Sequence, residues 1–377
     1  MPSNTKRTAG LSFLLATDYC LLSTAFKKGG FRIMNKSIYT SLIALIIVMG
    51  AVAVSVSSQT TRLVSTPTLA ANDPLLMLPA SDAIAVIDVK RLLTEAMPRA
   101  LNANPTRLAE ANAEIDRFKT RTGVDLRSFD RIAAGLRFDD RATTTVDEER
   151  KVAIAHGTFN AGAFVAAGRL AAKGKYKEEK YEGKTIYTFT LEQQVKLFGV
   201  MNMQITDLAV SALDPSTLAM GDPAGVRAAI DAGAGRGARV NSELVGLATR
   251  NPGAMIGFSA ILPPSAAQSI NLDNEELVKT IASVRQLYGS IGSTPSGFDV
   301  LTVARTENAE QAQRLNDTIA AAKQFASMFA AHVSRDSAKG KLVENALNGM
   351  KVTTQGNEVQ IKLELAQADV ATLVRGF

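Results

Sequence analysis

The side chains able to do chemistry are few. The 377-residue chain holds two histidines and a single cysteine, Cys20. His156 follows Val152-Ala153-Ile154-Ala155 at a strand end, where a structural role is the plain reading. His332 stands near the end of an alanine-rich helix, where its charge would suit the negative end of the helix dipole. Asp336, four residues on, would share a metal with it, but no third ligand accompanies the pair. No Gly-x-Ser-x-Gly elbow marks a nucleophile. Gly233-x-Gly235-x-Gly237 has the look of a phosphate loop, yet it follows a helix and lacks the Gly-Lys-Ser/Thr ending, so it reads as a flexible linker. Glu178, Glu179 and Glu182 suggest the paired carboxylates of a glycosidase. Such a pair needs a pocket to drive its two pKa values apart. Here Lys175, Lys177, Lys180 and Lys184 alternate with the acids, and a solvated charged loop over Lys173–Lys184 is the simpler reading. Tyr176, Tyr181 and Tyr187 remain, three aromatic groups that could form a binding surface. The sequence therefore assigns no catalytic residue, no metal ligands and no cofactor, and offers those tyrosines as its binding candidates.

The elements that must position them show in the hydrophobic pattern. Ala83–Val89 is a short apolar run suited to an inner strand. Asn104-Pro105 caps a helix with Leu108, Ala111, Ile115 and Phe118 at helical spacing, stopped by Gly123. Strands follow over Arg131–Phe138 and Lys151–Thr158, then a helix from Asn160. Thr185–Thr190 alternates as a strand, and Asp214-Pro215-Ser216 turns a hairpin between Leu208–Leu213 and Thr217–Met220. Asp222-Pro223 opens another helix.

After the glycine linker a second series begins with a strand over Ala254–Ile261. A helix capped by Asp273 or Asn274 has the stripe Leu277, Ile281, Val284 and Tyr288. Phe298–Arg305 is a strand, and a long helix from Asn308 carries Leu315, Ile319, Ala322, Phe325 and Phe329 on one face. A short helix ends at Gly349, and a final hairpin turns at Gln355-Gly356-Asn357. Its second arm alternates Val359, Ile361, Leu363 and Leu365 with polar neighbours. Both series run strand, helix, strand, helix, strand. Phe129-Asp130 echoes Phe298-Asp299, and Thr158-Phe159-Asn160-Ala161 echoes Thr306-Glu307-Asn308-Ala309. The pattern predicts an α+β fold of two subdomains, 74–232 and 253–377, joined through 233–252. Each has an antiparallel or mixed sheet with amphipathic helices on one face, as in a degenerate duplication.

Ile38–Val56 carries no charge, follows Lys36 and leads into Ser57 and Ser58, which is the grammar of an export signal. It is also long enough to span a bilayer if it is retained. Residues 1–33 read as a dispensable extension or an overcalled start ahead of Met34, and 59–73 as a polar tether. The net charge of +6 is concentrated ahead of the apolar run: six basic residues and Asp18 precede Ser58, which leaves the body close to neutral. That distribution keeps the leading end inside. It also removes the global basic footprint of nucleic-acid binding. Cys20 lies upstream of the run, so the body has no thiol chemistry.

Leu78-Pro79-Ala80-Ser81-Asp82-Ala83, Phe118-Lys119-Thr120-Arg121-Thr122-Gly123-Val124-Asp125, Tyr181-Glu182-Gly183-Lys184-Thr185-Ile186-Tyr187 and Leu218-Ala219-Met220-Gly221-Asp222 with Ile230-Asp231 are scattered across 74–377. In these segments the chain resembles functionally uncharacterised exported bacterial proteins of the domain-of-unknown-function type. The resemblance implies an envelope location and carries over no functional residue. The expectation is a non-catalytic envelope protein, held in the inner membrane by 38–56 or released as a periplasmic or secreted body, which binds an envelope protein, a polymer or a small ligand. An extracytoplasmic hydrolase with a dispersed site is the alternative. A pocket joining a histidine to a serine and a carboxylate would mark it.

Overall fold

A computed structural model describes residues 73–102, 104–137, 150–190, 195–197, 201–203, 207–263, 275–333 and 338–370. The apolar run 38–56 lies outside them. No helix among the described residues is long and apolar enough to cross a membrane. The fold is α+β and its centre is one antiparallel sheet of 12 strands.

In chain order the strands are β1 (Ala83–Asp88), β2 (Phe129–Arg137), β3 (Arg150–Gly157), β4 (Tyr176–Tyr181), β5 (Lys184–Thr190), β6 (Val195–Leu197), β7 (Met201–Met203), β8 (Asp207–Asp214) and β9 (Thr217–Gly221). The second series supplies β10 (Ile256–Ile261), β11 (Val284–Thr294), β12 (Gly297–Thr306), β13 (Lys351–Gln355) and β14 (Glu358–Ala366). Across the sheet the order is β13-β14-β12-β11-β10-β1-β2-β3-β9-β8-β5-β4, while β6 and β7 pair only with each other. The two expected sheets are thus one, fused where β1 pairs antiparallel with β10 around Ala85 and Phe258.

Helices cover both faces of this sheet, which corrects the one-face expectation. Ile84, Val86, Ala133, Ile154, Ala219 and Ile186 point to one face. There they meet the 3-10 turn Pro74–Met77, helix α5 (Pro223–Gly233) and helix α6 (Ser242–Ala248), through Leu75, Val226, Ile230, Leu244 and Ala248. The alternate residues Ile87, Ile132, Ala155, Leu218 and Val210 point to the other. They pack under α3 (Pro105–Thr122) and α4 (Ala161–Ala171). Ahead of α3 runs a helical segment in three pieces, α1 (Val89–Arg91), a π turn (Leu92–Ala96) and α2 (Met97–Leu101). In the second series α7 (Glu275–Ala282), α8 (Ala309–Val333) and α9 (Ala338–Gly349) follow. Leu315 and Ile319 of α8 and Leu347 of α9 close over Val300, Ala304, Val359 and Leu363. Period-2 strands whose two side-chain sets are both apolar require a cover on each face.

Helix starts follow the capping chemistry. Asn104, Asn160 and Asp222 each accept a hydrogen bond from a backbone N–H three residues on, at the heads of α3, α4 and α5. Asn308 does the same for the N–H of Gln311 ahead of α8. Gly123, at φ 74, ends α3 with a left-handed residue.

Both halves contain a strand, a helix, a two-stranded meander and a capped helix. In both, a last strand then returns to pair with the third: β9 on β3 and β14 on β12. The echo at Thr158 and Thr306 stands at equivalent joins, from β3 into α4 and from β12 into α8. The echo at Phe129 and Phe298 does not, since these residues open β2 and β12. Three further expectations fail. The helix expected through Tyr288 ends at Ala282, and Val284 and Tyr288 belong to β11. Phe325 is 71% exposed, because the buried stripe of α8 turns away through Ala326. Gly233–Gly237 is no loose linker: Gly235 takes a left-handed turn, the N–H groups of Arg236 and Gly237 both donate to the Asp231 carbonyl, and Arg239 bridges to Pro79.

Candidate functional site

Lys173–Lys184, expected as a solvated loop, contains strand β4 on one edge of the sheet. Edge strands rich in charge are common because charge blocks further pairing. Two left-handed residues, Lys173 (φ 50) and Gly174 (φ 85), turn the chain out of α4. Glu182 (φ 50) and Gly183 (φ 76) then close a two-residue hairpin into β5, with Tyr181 opposite Lys184.

The hairpin register splits the three tyrosines. Tyr176 lies opposite Phe189, and Glu178 opposite Tyr187, so Tyr176 and Tyr187 share the α4 side. Their rings meet edge to face at 5.8 Å between centroids. Tyr181 lies on the α5 side, where its hydroxyl donates to Asp231 at 2.7 Å. That bond to a carboxylate raises the phenol above its ordinary pKa. Tyr181 fastens the hairpin, and Tyr176 and Tyr187 are left to form the surface.

Arg169 of α4 joins them. Its guanidinium carbon sits 4.9 Å from the Tyr187 ring centre and 5.4 Å from that of Tyr176. Nε donates to the Tyr176 hydroxyl at 3.1 Å. Among the described residues the terminal nitrogens of Arg169 have no acceptor. Beneath it a cavity of about 290 Å³ opens between Val165 and Ala166 of α4, Thr185 and Tyr187 of β5, and Ala212 of β8. Gly183 and Lys184 edge it. Such a space admits a small ligand, with an apolar and aromatic floor and a cationic fork at one wall.

The acidic residues of this region are occupied. Arg227 holds Glu179 through two bonds of 2.8 and 2.6 Å, which keeps that carboxyl below its ordinary pKa. Glu182 pairs with Arg236 at 3.1 Å, and Glu178 with Lys180 at 3.5 Å. Each acid has a cation of its own, so the arrangement sets up no acid–base pair of the glycosidase kind.

His156 lies apart, at the far end of β3 on the α5 side of the sheet. Its Nδ1 is 3.0 Å from the Thr217 hydroxyl. Asp214 accepts from the N–H and the hydroxyl of Ser216. Burial works to raise the Asp214 carboxyl, but bonds from Ser216 and Thr217 outweigh it and hold the group low. The structure thus gathers a histidine, hydroxyls and a carboxylate. The Thr217 hydroxyl meets the imidazole but is fully buried, out of reach of a substrate, and Ser216 is turned onto Asp214, so neither is presented as a nucleophile. The side chains of the His332–Asp336 pair lie outside the described residues. No group of three metal-ligating side chains occurs among the described residues.

The three tyrosines singled out in the sequence are divided by the structure, Tyr176 and Tyr187 on one face and Tyr181 on the other, and Arg169, which joins the first two, was missed. Arg169 reaches Tyr187 across the whole hairpin, and no local spacing announces such a contact. Glu182-Gly183 between alternating residues was the available sign of the turn.

The site therefore belongs to an α+β chain built on one long antiparallel sheet, with an aromatic and cationic pocket on an edge hairpin. No protein-family model matches the chain, and no curated protein does. Solved structures of TP0453 are similar at low level. Crystal form I aligns with a TM-score of 0.40 at 9% identity, over 81% of this chain and 98% of that one. Crystal form IV gives 0.39 at 11% identity, over 80% and 96%.

Proposed function

We propose that this chain is a non-catalytic binding body of the cell envelope, tethered to or released from the inner membrane through 38–56. Its ligand site is the pocket lined by Arg169 and Tyr187, with Tyr176 stacked beside them. The observation that carries the reading is the guanidinium held over two tyrosine rings with its terminal nitrogens open to a cavity. A planar guanidinium fork prefers a carboxylate or phosphate, and the rings accept a flat or apolar body beside it. A degenerate duplication accounts for the matching connectivity of the two halves. On that view the β4–β5 hairpin is an addition to the first copy, and it brings the pocket with it.

The chain has no tryptophan, so the emission of its six tyrosines can be read directly. Titrating the full chain in detergent with phenyl phosphate is expected to change that emission in a saturable way. Arg169→Ala should abolish the response while the unfolding midpoint stays in place, since Arg169 is exposed. An identical response from the variant would remove the pocket from consideration.

Export is tested separately. A reporter fused after Gln59 should be active only outside the cytoplasm. Two arginines inserted near Ile46 should trap it inside, because a charge at mid-bilayer costs about 2.5–3.5 kcal/mol on insertion scales. Unchanged export of that variant would refute the assignment.

A further inference from the structure

We propose that Asp299 and Glu364 form an acid-closed clasp at the end of β14. The strand end tightens on β12 when Asp299 takes up a proton, and loosens when both carboxyl groups are charged. The clasp is independent of the pocket beside Arg169.

Asp299 lies on β12 directly opposite Glu364 of β14 on one side and Gly292 of β11 on the other. Directly opposed residues of antiparallel strands point to the same face, with Cβ atoms about 4.5–5.5 Å apart, so the two carboxyl groups are neighbours. The Asp299 side chain leans over Gly292. Its Cγ lies 3.1 Å from where a Cβ of residue 292 would stand, and a carboxylate oxygen would collide with that atom. The missing side chain lets the Asp299 carboxyl settle on the sheet half out of water, beside the exposed Glu364.

No cation answers the pair. On this face β11 offers Ser290 beside Gly292, and β12 offers Gly297 and Leu301. On β14, Lys362 is the cation closest by register, and it stands opposite Leu301 and Lys351, not opposite Asp299. Past the end of α6, Arg250 is bonded to Tyr288 and Asn251 to Ser290. Of the surrounding charges only that of Glu364 acts on Asp299. Burial, and then that charge, lift the Asp299 carboxyl above its ordinary 3.8, against a bond from its own N–H.

A carboxyl group whose pKa is raised by folding binds its proton more tightly in the folded chain. The stabilisation is complete below the ordinary value and is lost as pH rises through the raised one. The loss falls on one end of β14. At the other end Glu358 lies opposite Arg305 and accepts from its Nε and a terminal nitrogen at 3.0 and 2.8 Å. The same ladder thus has an attractive pair at its start and a repulsive one near its close. Beyond the repulsive pair Ala366 is opposite Gly297, the Gln367 N–H donates to the Ser296 carbonyl, and Val370 packs with Phe298 and Leu365. These last contacts are the ones that the opposed charges work against.

Amide hydrogen exchange of the full chain in detergent, read by mass spectrometry of peptides, tests the clasp. Observed rates are divided by the intrinsic rates at each pH, which leaves the protection. Protection over 362–370 is expected to rise about two- to five-fold between about pH 7 and about pH 4, with no such rise over 351–358. Asp299→Asn, of nearly the same shape, should show the higher protection at both pH values. Glu364→Gln, at an exposed position, should raise protection at pH 7 and shrink the remaining rise. An unchanged pH response in Asp299→Asn would overturn the clasp, as would protection below that of the wild type at pH 7. A rise of equal size over 351–358 would place the effect in the sheet as a whole and overturn it equally.

Discussion

Gly257→Ala is expected to unfold the sheet's centre at much lower urea, whereas Gly246→Ala, eleven positions earlier, should stabilise the protein. The two glycines belong to elements that meet, β10 and α6, but only Gly257 lies in the contact. Gly257 lies on β10, and a Cβ there would run into the carbonyl oxygen of Ala248, the last residue of α6. That helix cannot back away. Leu244 is fully buried, the Ser259 hydroxyl donates to the Leu244 carbonyl at 2.7 Å, and Glu243 is bonded to both Gln286 and Arg305.

Just beyond α6, Arg250 donates to the Tyr288 hydroxyl at 2.7 Å. The guanidinium carbons of Arg250 and Arg305 lie 5.5 and 5.6 Å from the centre of the Tyr288 ring. Inserting a methyl group at Gly257 must therefore move backbone that is fastened on both sides. The expected loss is about 3 kcal/mol or more, at the upper end for overpacking. Gly246 has open space where its Cβ would stand, and its backbone is helical. Alanine there should gain up to about 1 kcal/mol from helix propensity and the restricted unfolded chain. Urea midpoints read by tyrosine emission decide it, and shifts of the same sign would mean that α6 does not sit on β10 as described.

That contact also shows what a sequence can and cannot disclose. Helix starts were legible because a cap is a local bargain: Asn104, Asn160 and Asp222 satisfy N–H groups three residues away. Strand β14 was legible because its alternate residues Val359, Ile361, Leu363 and Leu365 share the face that packs under α8 and α9, with Val359 and Leu363 fully buried. By contrast β11 was hidden, since Val284 and Tyr288 continue the spacing of Leu277 and Ile281 and so extend an apparent helical stripe. Gly289 and Gly292 within it look like breakers. The sheet overrides them: β11 is paired on both sides, by β10 and β12. Gly289 makes room for the Phe258 ring, whose Cζ would lie 2.6 Å from any Cβ there.

The strand β4 failed for a related reason. Its alternation is written in charges, with only Tyr176 and Tyr181 at its ends to betray it. The sequence singles out Tyr187 but not Arg169, because a contact between a helix and a hairpin has no period. Nor does amphipathic spacing say which face of a sheet a helix will cover. The placement of α5 and α6 opposite α3 and α4 could be read only from the pairing of β1 with both neighbours.

Leu315→Ala should cost about 2–5 kcal/mol, and Phe325→Ala should stay within about 0.5 kcal/mol, although both lie on the apparent apolar stripe of α8. The helix spans Ala309–Val333, long enough for a drift of the buried face to matter. Residues spaced by seven fall about 20° further round with every repeat. The face that actually packs runs from Ala312 and Leu315 through Ile319 to Ala326. Lys323 lies along it, and its ammonium group donates to the Met350 carbonyl at 2.7 Å. Phe325 stands about 80° round from Leu315, on the side away from Ile319, at 3.6 residues per turn, and is 71% exposed. Met328, at 69%, lies beside it.

Truncating Leu315 opens a cavity against Val284, Ala304 and Val359, where the sheet cannot collapse because β12 is paired on both flanks. Truncating Phe325 removes only solvated surface and should raise solubility. Equal losses at the two positions would show that Phe325 is covered in solution, and the packing of α8 given above would then be wrong along its second half.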